Sequence, residues 1–171
     1  MSKVTYENLL SFNVVAQNYL RKKKENADTK LGYAISKMAK KVSKLLKPIQ
    51  ELEQDRNEQI ENTNIDCCEV DPTSKAIIFD ITKDAQGQDV RNYRYTKDNL
   101  KKRNQLIRDI AKKFEQDFNV LLEVEVEVEN PYYTTEIPAD LTEEEKRFFS
   151  GIVMTTITAK TNGVAKELQE A

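Results

Sequence analysis

Between residues 31 and 60 the apolar side chains recur at steps of three and four, which keeps them on one face of an α-helix. The positions on this face are Leu31, Ile35, Met38, Val42, Leu45, Ile49, Leu52, Arg56 and Ile60. An unbroken helix of this length would extend about 45 Å, which is longer than a compact domain of this size is wide. Because Pro48 lacks an amide hydrogen and clashes with the preceding turn, we predict a kink near Leu45.

Local signals mark the ends of this helix and predict a shorter helix before it. Asp28 or Thr29 can serve as the N-cap of the long helix, and the polar run at residues 62–64 predicts its end. Apolar residues at mixed spacings predict a first helix over residues 6–20. The basic run at residues 21–24 is then a solvated link between the two helices.

A second long helix is predicted after Thr96, which can cap it, with Asn119 at its end. The face that it would bury comprises Leu100, Arg103, Ile107, Ile110, Phe114 and Phe118. Residues 76–81 and 90–95 have the β-branched or alternating pattern of strands, with turn sequences at residues 71–74 and 84–87. We therefore predict an antiparallel helical hairpin over residues 28–118 with a small β-meander at its tip, residues 64–95.

Residues 120–129 have the clearest strand pattern in the chain, because valine or leucine alternates with glutamate. The valines are expected to be buried. The four carboxylates that would share the other face are Glu123, Glu125, Glu127 and Glu129. Such a row can bind a cation or supply an acid–base pair, but catalytic carboxylates usually occupy two different environments. A uniform row favours a solvated strip or one that faces a basic partner.

The segment after this strand is predicted to be an extended arm over residues 130–138, with Tyr132 and Tyr133 available to bind a partner or to pack on the protein's own core. Thr142 and Glu145 have the spacing of a capping box, which predicts a final helix over residues 142–154. Residues 155–171 are weakly patterned and are expected to form a peripheral tail. The fold class is α+β, with a single domain over residues 1–154.

Composition limits the chemistry that this chain can perform. Among 171 residues there is no histidine, and the only cysteines, Cys67 and Cys68, are adjacent. A Ser-His or Cys-His nucleophile pair and a histidine-containing zinc site are therefore excluded. Four glycines do not supply a glycine-rich phosphate loop. We predict no catalytic residue, cofactor or metal; whether the two thiols are reduced or form a vicinal disulfide stays open.

Charge is arranged in blocks along the chain. Residues 21–47 hold ten basic and two acidic side chains, and residues 48–71 hold one basic and eight acidic. Residues 94–113 then hold eight basic and two acidic, and residues 115–145 hold eleven acidic and no basic. An antiparallel hairpin places opposite blocks side by side. Two copies of residues 30–61 laid antiparallel would also match, so a homo-oligomer is one hypothesis.

The basic side chains allow a second interpretation. Lys37, Lys40, Lys41 and Lys44 lie on one predicted helix, and Arg103, Arg108 and Lys112 lie on the other. A nucleic-acid-binding module is the weakest of the binding hypotheses, because acidic blocks between these basic faces would repel phosphate and no known motif accompanies them. A membrane partner is not expected either, since the chain has no apolar run of 18 residues and no signal-peptide pattern.

Several segments resemble an uncharacterised family of small tailed-bacteriophage proteins encoded among tail or virion genes. They are KLGYAISK at residues 30–37, residues 45–56 with Glu51, Glu53 and Arg56, the helix-to-strand passage at residues 114–128, and PADLT at residues 138–142. The resemblance covers about residues 28–153, but residues 66–95 and those after Met154 have no counterpart. It implies a phage context and carries over no site residues.

Two functions fit these observations better than nucleic-acid binding or an enzyme. The first is a non-enzymatic phage protein, either a virion component or an assembly factor, that acts through protein–protein contacts. The second is a host-interaction or counter-defence inhibitor whose acidic strip occupies a basic groove of a host protein. Either would work in the host cytoplasm during infection, and the first can also be virion-associated.

Overall fold

The computed structural model describes residues 2–22, 24–129, 132–150 and 152–153. In chain order, its strands and α-helices are β1 (Ser2–Thr5), α1 (Tyr6–Lys22), α2 (Lys30–Leu45), α3 (Lys47–Cys67), β2 (Phe79–Lys83), β3 (Asp89–Tyr93), α4 (Lys97–Leu122), β4 (Glu125–Val128) and α5 (Glu143–Phe149). A 3-10 helix, Lys24–Asp28, lies between α1 and α2. The α+β class is confirmed.

The chain divides into two compact units. We call residues 1–48 and 120–171 the terminal unit, as far as they are described, and residues 49–119 the central unit. The single domain over residues 1–154 stays a prediction, and within those residues the structure has these two compact units. In the central unit, α3 and α4 contact each other at Arg56 and Phe114 and line a common groove, while α1, α2 and α5 enclose a separate core.

The core of the terminal unit joins residues from distant parts of the chain. Phe149 of α5 packs edge-to-face against Phe12 and Tyr19 of α1, with ring centroids 6.0 and 5.6 Å apart. The fully buried side chains around them include Leu9, Leu31, Ile35, Met38, Val42, Val128 and Val153. Burial of each large apolar side chain contributes about 1.5–3 kcal/mol, so this cluster is the main source of the unit's stability.

The start of α2 is held tightly against the 3-10 helix. Thr29 is the N-cap, as one of the two predicted candidates, and its Oγ1 accepts a hydrogen bond from the backbone N–H of Gly32 at 2.9 Å. The same hydroxyl donates to the carbonyl oxygen of Asn26 at 2.8 Å. A Cβ atom on Gly32 would lie 1.8 Å from that carbonyl oxygen, so only glycine fits at this close approach.

The predicted kink in the long helix is confirmed as a break at Leu46, between α2 and α3. Pro48 is the second residue of α3, where its missing N–H leaves no helical hydrogen bond unmade. The predicted end of the helix at residues 62–64 is wrong, because α3 continues to Cys67. Thr63 donates its hydroxyl to the carbonyl oxygen of Gln59, one turn earlier, and so is satisfied within the helix.

In the central unit, α3 and α4 form an antiparallel hairpin. The guanidinium carbon of Arg56 lies 4.4 Å from the centre of the Phe114 ring, and Arg103 Nε donates to Asn64 Oδ1 at 2.8 Å. The later residue of α3, Asn64, contacts the earlier residue of α4, Arg103, so the two helices run in opposite directions. The Oγ1 of Thr96 accepts from the N–H of Asn99, which agrees with its predicted capping role.

The β-tip between these helices is a two-stranded hairpin of β2 and β3, with an isolated bridge between Val70 and Ile77. The strands predicted at residues 76–81 and 90–95 are observed at Phe79–Lys83 and Asp89–Tyr93. The reversal at residues 84–87 is confirmed: Gly87 has a φ of +78°, and the Asp84 carboxylate accepts from two backbone N–H groups of the turn. Asp71 likewise caps the turn at residues 71–74, and these hydrogen bonds lower the pKa of its carboxyl group.

The predicted strand over residues 120–129 is shorter than expected. Helix α4 extends through Leu122, so β4 begins only at Glu125. Of the valines expected to be buried, Val128 is buried, but Val120 is 70% exposed and Val124 is also exposed. The partner of β4 is β1, an antiparallel strand that the sequence analysis missed. A two-stranded sheet covers little area, which is why only part of the alternating run is enclosed.

The capping box at the start of α5 is confirmed. Thr142 Oγ1 accepts from the N–H of Glu145 at 3.1 Å, and Glu145 Oε2 accepts from the N–H of Thr142 at 2.8 Å. The helix ends at Phe149 instead of the predicted residue 154, and Val153 is buried in the turn that follows. Met154 and the predicted tail at residues 155–171 lie outside the described residues.

Gly32 gives a direct test of the packing between α2 and the 3-10 helix. In an ordinary helix interior, a glycine-to-alanine change stabilises by up to about 1 kcal/mol. Here we expect Gly32→Ala to lower the free energy of unfolding by about 1–3 kcal/mol, because the new methyl group overlaps backbone. Urea unfolding followed by circular dichroism measures the difference.

The control is Ser43→Ala at an exposed position of the same helix, where the change should stay within about 0.5 kcal/mol. A gain in stability for Gly32→Ala would contradict the close approach to Asn26.

Candidate interaction surfaces

On the terminal unit, one predicted site residue, Tyr132, meets an aromatic residue that was not predicted. Tyr132, from the arm after β4, packs edge-to-face on Tyr33 of α2, with ring centroids 5.8 Å apart. Tyr33 is 53% exposed and Tyr132 is 42% exposed, so both rings also present area to solvent. We define the tyrosine patch as Tyr33, Tyr132 and Tyr133 with Lys37 and Lys41. Tyr33 was not predicted as a site residue, because its partner in the patch is 99 positions away in the sequence.

The two lysines of the patch lie over its rings. Lys37 Nζ is 5.2 Å from the centre of the Tyr33 ring, and Lys41 Nζ is 6.0 Å from the centre of the Tyr132 ring. Lys41 also donates to the carbonyl oxygen of Glu129 at 3.3 Å. Cation–π contacts at exposed sites contribute about 0.5–1 kcal/mol each, so their main effect is to orient charge beside aromatic surface.

The other two predicted lysines face a different neighbour. Lys40 and Lys44 line a groove of about 690 Å³ between α1 and α2, together with Asn13, Gln17 and Leu20. The four lysines have the i, i+3, i+4, i+7 spacing of one face of α2. Within that face, Lys37 and Lys41 lie over tyrosine rings, and Lys40 and Lys44 line the groove.

The arm that carries Tyr132 is attached to the terminal unit at several points. The N–H of Tyr132 donates to Met38 Sδ at 3.1 Å, and the N–H of Thr134 donates to the carbonyl oxygen of Val153 at 3.0 Å. Lys30 pairs with Glu136. A shallow cleft of about 300 Å³ lies beside the patch, lined by Asp28, Thr29, Lys30, Tyr33, Ala34, Tyr132, Tyr133 and Thr134. Such attachment presents the tyrosines in a defined geometry.

The glutamate row is exposed but not continuous. Glu123 lies in the turn after α4, Glu125 and Glu127 lie on β4, and Glu129 follows the strand. Glu127 is directly opposite Lys3 in the register of β1 and β4. The structure thus keeps two of the four carboxylates on one strand. Among the described residues, no three Cys, Asp, Glu or His side chains are arranged to hold a metal ion.

The central unit presents an aromatic cluster that the sequence analysis did not predict. Phe79 and Tyr93 are paired across the β-hairpin with ring centroids 5.3 Å apart, and Arg103 lies 5.2 Å from the centre of the Tyr95 ring. The phenol of Tyr93 donates to the Glu61 carboxylate of α3. This hydrogen bond raises the pKa of Tyr93 to about 12 and, together with Asn64, lowers the pKa of Glu61.

Cys67 and Cys68 are free, buried thiols, so the vicinal disulfide is not formed. Cys68 Sγ donates to the carbonyl oxygen of Ile65 at 3.0 Å. Burial raises the pKa of the Cys68 thiol, which disfavours the reactive thiolate form. These residues therefore act as small apolar side chains at the end of α3.

No protein-family model, curated protein or solved structure matches this chain. Among the described helices, none offers an apolar stretch long enough to traverse a lipid bilayer.

The contact between Tyr93 and Glu61 predicts a pH range for the docking of the β-hairpin on α3. Because the folded-state pKa of Tyr93 is raised, the contact contributes stability below the ordinary tyrosine pKa of about 10. This contribution is lost as the pH rises through about 12. At the acidic end the lowered pKa of Glu61 has the opposite sign, so its contribution is lost as the pH falls below the ordinary glutamate range.

An NMR titration with ¹³Cζ-labelled tyrosine should show one phenol that ionises near pH 12, and Tyr93→Phe assigns it. Glu61→Gln should lower that pKa, because the neutral amide no longer opposes a phenolate. Glu58→Gln, one turn earlier on the same helix, should leave it unchanged. An unaltered Tyr93 pKa in Glu61→Gln would refute the contact.

Proposed function

We propose that this chain is a non-enzymatic bacteriophage protein that acts through protein–protein contacts, as a virion component or an assembly factor. The observation that carries the proposal is the tyrosine patch, where half-exposed rings and two lysines are held in place by α2 and the attached arm. Tyrosine supplies large contact area at low entropic cost, which makes it a frequent anchor in protein interfaces. The resemblance to tailed-phage proteins supplies the biological context.

The chemistry of the patch favours a protein partner with apolar side chains and carboxylates. The tyrosine faces can pack against apolar groups, while Lys37 and Lys41 bring positive charge to the same place. A phosphate backbone fits less well, because acidic side chains border the cleft beside the patch: Asp28 lines it and Glu136 pairs with Lys30, which also lines it.

A host-interaction or counter-defence inhibitor is the second candidate function. The observation that favours it is the exposure of Glu123, Glu125, Glu127 and Glu129 around β4. Exposed carboxylates at this density attract a basic surface and accelerate association. In that case a host protein with a basic groove would bind β4 instead of the tyrosine patch.

Mass spectrometry of purified particles tests the proposed function. A virion component should be found in mature particles, and an assembly factor should be found in assembly intermediates but not in mature particles. Location of the coding sequence outside every phage and prophage genome would overturn the phage context. Its absence from particles and intermediates, with one stoichiometric host partner recovered instead, would favour the inhibitor.

The tyrosine patch should control incorporation. We expect the double variant Tyr33→Ala/Tyr132→Ala to bind its partner at least about tenfold more weakly, because two aromatic anchors of about 1 kcal/mol or more are removed. Quantitative mass spectrometry of particles or intermediates from complemented infections measures the loss. Val14→Ala, at an exposed apolar position of α1, is the matched control and should be incorporated normally.

Equal losses for the patch variant and the Val14 control would show that the patch is not the contact. Circular dichroism of both purified variants confirms that the fold is retained.

A further inference from the structure

The β-hairpin of the central unit has two open edges. Its sheet contains only β2 and β3, and among the described residues no further strand pairs with either. All five residues of β2 are exposed, and so are four of the five in β3. Three of them are large and apolar: Phe79 is 37% exposed, Ile81 67% and Val90 38%. A two-stranded sheet without cover is marginally stable in water, and its unpaired edges are available to another strand.

The hydrogen bonds of the hairpin identify which backbone groups lie on the open edge of β3. The N–H of Asp84 donates to the carbonyl oxygen of Gln88 at 3.0 Å, so every second residue pair from there, including Thr82 with Val90, is hydrogen-bonded. The N–H and C=O groups of Asp89 and Arg91 therefore point away from β2. Among the described residues, no backbone hydrogen bond outside the hairpin ladder involves either of them.

Strand β3 carries opposite charges on one face, because Asp89 and Arg91 are two positions apart. Lys83 Nζ donates to Asp89 Oδ1 at 2.8 Å, which leaves the second carboxylate oxygen without a partner among the described residues. Arg91 lies opposite Ile81 and makes no ion pair within the described part of the chain. Strand β2 has one charged side chain on each face, Asp80 and Lys83. Only β3 can therefore match opposite charges with a copy of itself.

We propose that two copies of the chain pair antiparallel through the open edges of β3, with Val90 on the two-fold axis, to form a four-stranded sheet. In this register Asp89 lies opposite the partner's Arg91, and the outward peptide groups of these two residues bond to each other. The Asp89 carboxylate then lies between Lys83 of its own copy and the partner's Arg91. On the other face, Val90 and Thr82 of both copies form one row of β-branched side chains, which suits a sheet.

Charge favours both a second copy and this register. A two-fold edge contact brings a strand against itself, so an acidic position must have its basic match on the same strand and face. Asp89 and Arg91 meet that requirement when the axis passes through Val90. An axis through Arg91 would put two guanidinium groups opposite each other, and one through Asp89 would do the same with two carboxylates. The pairing is independent of the proposed function, since it uses the central unit and not the tyrosine patch.

Cysteine cross-linking of the full-length chain tests the register. Only the residue on the axis faces its own copy, with Cα atoms about 4.5 Å apart, which is within the range of a disulfide. We expect Val90→Cys to form a covalent dimer on mild oxidation, seen on a non-reducing gel. Thr82→Cys, exposed and opposite Val90 in the hairpin, should not, because three strand spacings of about 4.8 Å separate the two copies of this position. The unaltered chain, with Cys67 and Cys68 buried, gives the background.

A second experiment exchanges the charges and measures the dimer Kd by sedimentation equilibrium. Asp89→Arg and Arg91→Glu should each raise the Kd at least about tenfold, because each puts like charges opposite each other at two places. Mixed in equal amounts, the two variants should form a heterodimer, since every pair across the axis is again of opposite sign. Lys101→Glu, exposed on α4, changes the net charge as Arg91→Glu does and should leave the Kd unchanged. Circular dichroism verifies the fold of each variant.

Several outcomes would overturn the pairing. An unaltered chain that stays monomeric up to about 1 mM would exclude a second copy and leave the edge to a strand of another protein. Equal cross-linking of Val90→Cys and Thr82→Cys, or charge variants that stay monomeric when mixed, would exclude the register. None of these results bears on particle incorporation, so failure of this inference and failure of the proposed function are distinguishable.

Discussion

The packing of Phe149 against Phe12 and Tyr19 is the interaction on which the terminal unit depends. It joins α5 to α1 across more than 120 positions of sequence, so the unit is complete only when the chain has returned from the central segment. The same closure buries Val153, whose carbonyl oxygen accepts from the N–H of Thr134. The aromatic core thereby helps to hold the arm that presents Tyr132. The tyrosine patch therefore depends on the packing of Phe149 in this core.

The two units differ in how completely they bury their apolar side chains. Apolar side chains are 39% of the chain and charged ones are 33%, which is a high charged fraction for a globular protein. The terminal unit concentrates apolar groups in three packed helices and a small sheet, and it has a fully buried core. In the central unit, the same kind of amphipathic face meets only one other helix and stays half-buried. The central unit therefore leaves apolar side chains partly exposed, while the terminal unit buries its core and presents the tyrosine patch.

Electrostatics selects partners more than it adds stability. The ion pairs, such as Arg94 with Asp80 and Lys113 with Asp117, are mostly solvent-exposed and individually weak. The opposite overall charge of α3, with six acidic side chains, and of α4, with seven basic ones, favours their association. The contact between Tyr93 and Glu61 has the same character, since it positions the β-hairpin against one turn of α3.

The amino-acid sequence by itself determined the features that depend on a few neighbouring residues. These include the Thr142 cap, the break before Pro48 and the turn at Gly87, each set by backbone hydrogen bonds or torsion angles within about one turn. Only the tertiary structure decided the pairing of β1 with β4, the packing of Phe149 on Phe12 and the meeting of Tyr132 with Tyr33. Those contacts join residues far apart in sequence, and periodicity identifies which face of an element is apolar without identifying what covers it.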